Sequence, residues 1–249
     1  MRHQVQIEAP GVVVVDDALS SEEVASLSSS IAATRLLGES QLVGGFGATR
    51  GFGVACHTDA LDDAVAKAPF LRGFVDVAMN PRWRRLARPL DGVDRFLGLW
   101  FSEITALYLN VLVVPPGAAV ERHVDATLGV VADDPRTIVP RAVVALYVDV
   151  PGDLSGGRLR LTRGDDEVAE IEPRPGRAVF FDGRLAHEVT ATSASGARVS
   201  CVAELYRLPR ARQRALPRLR VQSNGFAEVL GRHQAQAAAH AKTDRGVRR

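Results

Sequence analysis

From about residue 106 onward the chain breaks into short β-type runs, and this texture limits the fold more than any other feature. The runs read "LYLNVLVV", "GAAVERHVD", "AVVALYVDV", "GGRLRLTR", "DEVAEIEP", "RAVFFDG", "HEVTAT" and "ARVSCVAELY", with Gly, Pro and Asp between them. β-Branched and aromatic side chains suit a pleated, half-buried surface, and the punctuating residues suit turns. Many short strands at this spacing predict an antiparallel barrel or sandwich. No repeat with a period of roughly 20–50 residues is visible, which excludes a solenoid or propeller.

The first hundred residues read differently. "GVVVVDDALSSEEVASLSSSIA" is an apolar run followed by Ser20, with Glu23 three positions on, the spacing of a capping box, so a strand should lead into a helix. Residues 41–60, "QLVGGFGATRGFGVACHTDA", have five glycines and no clear period, which predicts a loop or irregular strand pair. Residues 61–105 mix helical patterning with a break at Pro81. The expected fold class is mainly β with flanking helices (α+β). A β core over about 106–207 carries N-terminal helices on its outside, within one domain spanning 1–210.

Composition narrows the class further. With 249 residues and 46% hydrophobic content, a substantial core can be buried. No apolar run approaches the roughly 20 residues of a membrane span, and "MRHQVQIEAPG" lacks the apolar centre of a secretion signal, so no membrane association and a cytoplasmic location are expected. Cys56 and Cys201 suggest neither a disulfide framework nor a zinc ribbon and are expected to be reduced. Residues 207–249 hold 11 Lys/Arg against Glu228 and Asp244, although the whole chain is only +2. The basic run "RLPRARQRALPRLR", which leads into the C-terminal extension 211–249, admits nucleic acid or an acidic partner, but no aromatic residues interleave its charges. The extension is read as partly helical or frayed.

Chemistry concentrates at "ERHVDATLG". Side chains alternate along a strand, so His123 and Asp125 point the same way and can reach one point. A third ligand must come from elsewhere. His187 is best placed, between two expected strands, whereas His3, His233 and His240 lie in the termini and His57 in the glycine-rich stretch. Two histidines and one carboxylate leave half an octahedron open and suit non-haem Fe(II). Eleven positions beyond His187 comes Arg198, with Ser200 on the same strand face, among apolar Val199, Cys201 and Val202. A guanidinium fork beside a hydroxyl can hold a carboxylate.

Across residues 11–207 the chain resembles the 2-oxoglutarate- and Fe(II)-dependent dioxygenases, in the prolyl-4-hydroxylase-like branch. The resemblance runs through "GVVVVDDALSSEEV", "VVPPGAAVERHVD", "ALYVDV", "SGGRLRL", "RPGRAVFFDGRLAHEV" and "GARVSCVAELYR". It implies a double-stranded β-helix, a jelly roll of the cupin kind. It implies iron at His123, Asp125 and His187, and the distal carboxylate of 2-oxoglutarate at Arg198, with Ser200 completing an Arg-x-Ser pattern. One departure stands out: Val114 occupies the place where many relatives have a tyrosine that touches the cosubstrate. Tyr108, Asn110 and Thr127 are the candidates to line the cosubstrate site instead, and Arg122 or Arg160 would be the next anchors were Arg198 not the one.

The activity so implied is hydroxylation of an unactivated C–H bond with release of succinate and CO2. It uses Fe(II), 2-oxoglutarate and O2, and admits ascorbate as an auxiliary reductant. Asp125 argues against halogenation, which in the family goes with loss of the carboxylate ligand. "RVSCVAE" lacks the Arg-x-Asn-x-Thr-x-Arg pattern of the nucleic-acid demethylases. A compact chain without a peptide-binding module favours a free small molecule, such as an amino acid or natural-product intermediate. A protein or peptide side chain is the alternative, and a non-catalytic β-barrel binding protein a more distant one. The stretch "GGFGATRGFG", residues 44–53, is read as a cover over the barrel mouth, with Phe46 and Phe52 as apolar lining and Arg50 meeting an anionic substrate group. Oligomeric state leaves no trace in the sequence.

Overall fold

The computed structural model describes residues 3–39, 49–87, 104–128 and 138–222. Strands β1 (Gln4–Ala9) and β2 (Val12–Asp16) form a hairpin that leads into helix α1 (Ser21–Ala33). The capping box is present: the Ser20 hydroxyl accepts from the Glu23 amide, and the Glu23 carboxylate accepts from the Ser20 amide at 2.7 Å. After the short β3 (Gly38–Glu39) and β4 (Arg50–His57) come helices α2 (Leu61–Lys67), α3 (Arg72–Met79) and α4 (Pro81–Leu86). Pro81 ends one helix and starts the next. Asn80 is extended and caps α4 by accepting from the Arg82 amide, while the proline takes a first-turn position that needs no amide donor.

The second half is almost entirely strand: β5 (Ala106–Val114), β6 (Val120–His123), β7 (Ala142–Asp149), β8 (Ser155–Gly156), β9 (Leu159–Arg163), β10 (Asp166–Ile171), β11 (Ala178–Asp182), β12 (Ala186–Val189), β13 (Thr192–Ser193) and β14 (Arg198–Tyr206). A short helix α5 (Arg210–Ala215) and strand β15 (Leu219–Gln222) follow. The large antiparallel sheet has the order β1-β2-β11-β7-β14-β5-β4-β15, with β3 also on β4; a smaller sheet runs β10-β9-β12-β6, and β13 pairs with β8.

The inner strands of the large sheet are covered on both faces, which explains why they read as continuous apolar runs. One face meets the helices: Val13, Val15, Val144, Leu146 and Phe180 pack with Val24, Leu27 and Ile31 of α1, Phe74 of α3 and Trp83 of α4. The other face meets the small sheet, and Val12, Val14, Val143 and Phe181 pack with Leu159, Leu161 and Leu185 between the two. The mainly β architecture with helices outside and a jelly-roll type of core is as expected from the sequence. Among the described residues no helix is long and apolar enough to cross a membrane. Cys56 and Cys201 are free and fully buried; burial pushes the Cys56 thiol up to about 12 and that of Cys201 higher still.

Three expectations change. The sheet is not confined to 106–207, because β1, β2 and β4 come from the N-terminal part. Gly51 to His57 is neither loop nor irregular: β4 pairs with β5 in unbroken register from Arg50↔Val113 to His57↔Ala106. Gly51 and Gly53 left no apolar period to read, yet extended backbone there is held by both neighbouring strands. The basic extension is not wholly outside the fold, since β15 pairs Leu219 with Cys56 and Val221 with Val54.

Phe180 is fully buried and meets Trp83 edge to face at 5.8 Å. Phe180→Ala should therefore lower unfolding stability by about 3–5 kcal/mol, measured by urea denaturation.

Candidate metal centre

His123 closes β6, and His187 stands directly opposite it on β12 in the antiparallel register. The imidazole centroids are 4.2 Å apart and tilted by 53°. Asp125, just past the end of β6, lies between them: its Oδ1 is 3.5 Å from Nε2 of His123 and its Oδ2 is 3.5 Å from Nε2 of His187. One ligand atom from each of the three falls within 4.8 Å of the others. A His-x-Asp pair therefore reaches one point although the strand ends between its members.

Backbone carbonyls set the tautomers. Nδ1 of His123 lies 2.7 Å from the Glu121 carbonyl, and Nδ1 of His187 lies 3.4 Å from that of Leu185. A carbonyl oxygen only accepts, so each Nδ1 carries a proton, and Nε2 is the nitrogen turned toward Asp125 that can ligate a metal once it is deprotonated. Phe181 braces the His187 ring edge to face at 5.1 Å. Burial opposes protonation of His123, but the hydrogen bond and charge of Asp125 outweigh it and raise its pKa. Two imidazoles and a carboxylate on one side of a point, with no thiolate, match the donor set of a non-haem iron site.

Arg198 opens β14 opposite Val114 of β5 and is only 2% exposed. Its Nη1 donates to the Gly157 carbonyl at 2.6 Å, its guanidinium lies 5.5 Å from the centre of the Tyr147 ring, and its Nε has no partner. No carboxylate among the described residues pairs with it, and desolvation lowers its pKa. Tyr147 reaches this place from β7, in register with Ser200. Its hydroxyl is buried without a partner, and burial raises its pKa. A buried cation beside an unsatisfied phenol could take an anion. Val114 packs with Leu112, Val120 and Val189, so the phenol near Arg198 comes from β7 and not from the end of β5. Only strand alternation along "ALYVDV" could have flagged Tyr147; its partnership with Arg198 is tertiary.

The remaining candidates divide. Ser200 is buried on the same strand face as Arg198. Tyr108 is buried with an unpartnered hydroxyl, lodged where Gly53 leaves room: a Cβ on Gly53 would stand 2.1 Å from that oxygen. It pairs with Glu204, six residues along β14 from Arg198, or about 20 Å by strand rise, so it does not share the Arg198 seat. Asn110, with a buried unpartnered Oδ1, is opposite Val202, between the two. The Thr127 hydroxyl donates to Glu204 at 2.6 Å and is not directed at a cosubstrate. The reserve anchors are engaged at the surface: Arg160 pairs with Glu167, Glu170 and Glu188, and Arg122 with Asp165. In the cover stretch, Phe46 lies outside the described residues. Phe52 is fully buried in the helix-side core against Phe70, and the exposed Arg50 shares its strand parity, so neither faces the metal cluster.

Glu204 escaped the sequence reading. Its carboxylate is 3% exposed and accepts hydrogen bonds from the Thr127 amide and hydroxyl and from the Tyr206 hydroxyl. Burial, and then the charge of Asp125, raise its pKa well above the usual carboxylate range. Its only sequence signal was an acidic residue within "VSCVAELY".

The fold and site define a β-core protein in which two histidines and one carboxylate could hold a metal ion and a buried arginine could take an anion. Residues 109–204 match the family model of the 2OG-Fe(II) oxygenase superfamily. Among solved structures, a prolyl hydroxylase from Trichoplax adhaerens, in complex with a peptide fragment of the hypoxia inducible factor oxygen degradation domain, is similar in fold. The TM-score is 0.52 at 18% identity, covering 82% of this chain and 86% of that one. A prolyl-4-hydroxylase from Pseudomonas putida gives 0.49 at 22% identity over 80% and 94% of the two chains. The alpha ketoglutarate dependent epimerase SnoN from nogalamycin biosynthesis gives 0.49 at 18% over 78% and 77%. No protein of curated function matches the sequence.

Anaerobic titration with Co(II), a spectroscopic stand-in for Fe(II), should show one site per chain. His187→Ala should abolish it while circular dichroism stays that of the folded protein, because only three side chains hold the ion.

Proposed function

We propose that this chain hydroxylates an unactivated C–H bond of a free small molecule, such as an amino acid or natural-product intermediate. One O2 is consumed: one oxygen atom enters the substrate C–H bond, and the other enters succinate as 2-oxoglutarate loses CO2. The observation that carries the reaction class is Arg198, a buried guanidinium with no carboxylate partner among the described residues, on the strand face turned toward the His123, Asp125 and His187 cluster.

In this reading His123, Asp125 and His187 hold Fe(II) from one side. The bound iron supplies dioxygen activation. Arg198 binds the distal carboxylate of 2-oxoglutarate through its fork, Tyr147 donates its free hydroxyl to the same carboxylate, and Ser200 lines the seat beside them. Tyr147 thereby takes the part left open by Val114. The apolar walls formed by Leu159, Leu161 and Phe181 keep water from the ion pair, which strengthens it. The three ligands are themselves 10% exposed or less at their side chains, so a substrate group has to enter a narrow recess. A peptide side chain is the second reading, supported by the shared fold with a peptide-bound prolyl hydroxylase.

Succinate release measured over a panel of free amino acids, related small molecules and proline-containing peptides tests the substrate class. Turnover with a free small molecule is expected, and turnover with peptides alone would move the assignment to the second reading. Arg198→Leu should raise the 2-oxoglutarate requirement tenfold to over a hundredfold, from a loss of about 1.5–3 kcal/mol. Tyr147→Phe should raise it roughly two- to tenfold, for about 0.5–1.5 kcal/mol. An unchanged requirement in Arg198→Leu would place the anchor elsewhere.

A further inference from the structure

Asp125 is the one member of the metal cluster that no strand holds. Sheet pairing of β6 ends at His123, and residues 124–126 have no regular structure. A carboxylate ligand whose oxygens are kept in place before the ion arrives loses less freedom on binding it. The turn that carries it is tied at its far side. The Thr127 amide donates to Glu204 Oε2 at 3.3 Å and the Thr127 hydroxyl to Oε1 at 2.6 Å. The Tyr206 hydroxyl donates to Oε2 of the same carboxylate and accepts from the Leu128 amide at 3.5 Å. Leu128 is itself fully buried, packed with Tyr206, Tyr108 and Ala55.

Glu204 and Tyr206 both belong to β14, which is paired on both sides at Glu204, with Tyr108 of β5 and Val143 of β7. Among the described residues no Lys, Arg or His pairs with the Glu204 carboxylate. A buried carboxylate without a cation is a costly group, more so with Asp125 nearby, and a neutral core residue would be the cheaper occupant of a strand interior. Its three hydrogen bonds all come from the Asp125 turn or from the tyrosine that completes the tie.

We propose that Glu204, with Tyr206, is a positioning residue that clamps residues 125–128 to β14 and so holds Asp125 ready to bind the metal. This rests on the assignment of His123, Asp125 and His187 as the metal ligands. Because the tie acts on the ligand turn and not on the ion, its loss should appear as weakened metal binding in a folded protein.

The test is Co(II) binding by isothermal titration without cosubstrate, alongside thermal unfolding of the metal-free protein, for wild type, Thr127→Val, Glu204→Gln and Glu204→Leu. Thr127→Val keeps the side-chain shape and removes one bond of the tie, so it remains decisive even if Glu204→Leu does not fold. Thr127→Val and Glu204→Leu should weaken Co(II) binding about tenfold to a hundredfold, the usual effect of losing a partner that orients a ligand. Glu204→Gln, which keeps an acceptor for Thr127, should recover part of that loss. Wild-type Co(II) affinity in folded Thr127→Val and Glu204→Leu would overturn the clamp while leaving the ligand assignment intact. Failure of the wild-type protein to bind Co(II) would instead overturn the ligand assignment, and the clamp with it.

Discussion

The antiparallel pairing of β14 with β5 on one side and β7 on the other is the constraint on which the site depends. The nine residues from Arg198 to Tyr206 are matched one for one with Val114 to Ala106. A strand held on both edges cannot slip by one residue without turning every side chain to the opposite face. That register puts Arg198, Ser200, Glu204 and Tyr206 in one row facing the small sheet, and Cys201, Ala203 and Leu205 among the residues packed on the helix side. One rigid element therefore positions both the anion seat and the support of the metal-binding turn.

The charges along this row are sorted by end. Arg198 stands at one end, Glu204 and Asp125 toward the other, and apolar side chains separate the row from water. In such surroundings each unpaired charge is expensive and each correct partner is worth more than it would be in solvent. In the proposed reading, an iron ion beside Asp125 and a dicarboxylate reaching to Arg198 would complement these charges. Charges sorted in this way before a ligand arrives are the form preorganisation takes in a binding site.

The small sheet contributes differently. The match of His187 to His123 across β12 and β6 brings the two imidazoles together, but the same pairing has an irregularity before Val189 and stops at His123. Asp125 is consequently carried by a turn. Two ligands are fixed by a ladder and the third by side-chain hydrogen bonds, so the stability of the third is the more easily tuned by substitution.

Much of this was legible in the residues. Ser20 and Glu23 announced the start of α1 because a capping box is a local contact between near neighbours. His123 with Asp125, and Arg198 with Ser200, were legible because strand alternation turns a spacing of two into a shared face. Where the sequence misled, alternation was present but unreadable: the glycines around Phe52 concealed a regular strand, and its parity sends Phe52 to the core instead of a cover. The sequence by itself thus determined the strand-rich class, the helix start and the metal-binding residue types, all of which follow from local periodicity and side-chain chemistry. Only the tertiary structure decided that Tyr147 meets Arg198, that Tyr108 does not, and that Glu204 ties down the turn of Asp125, because these depend on which strands become neighbours and in what register.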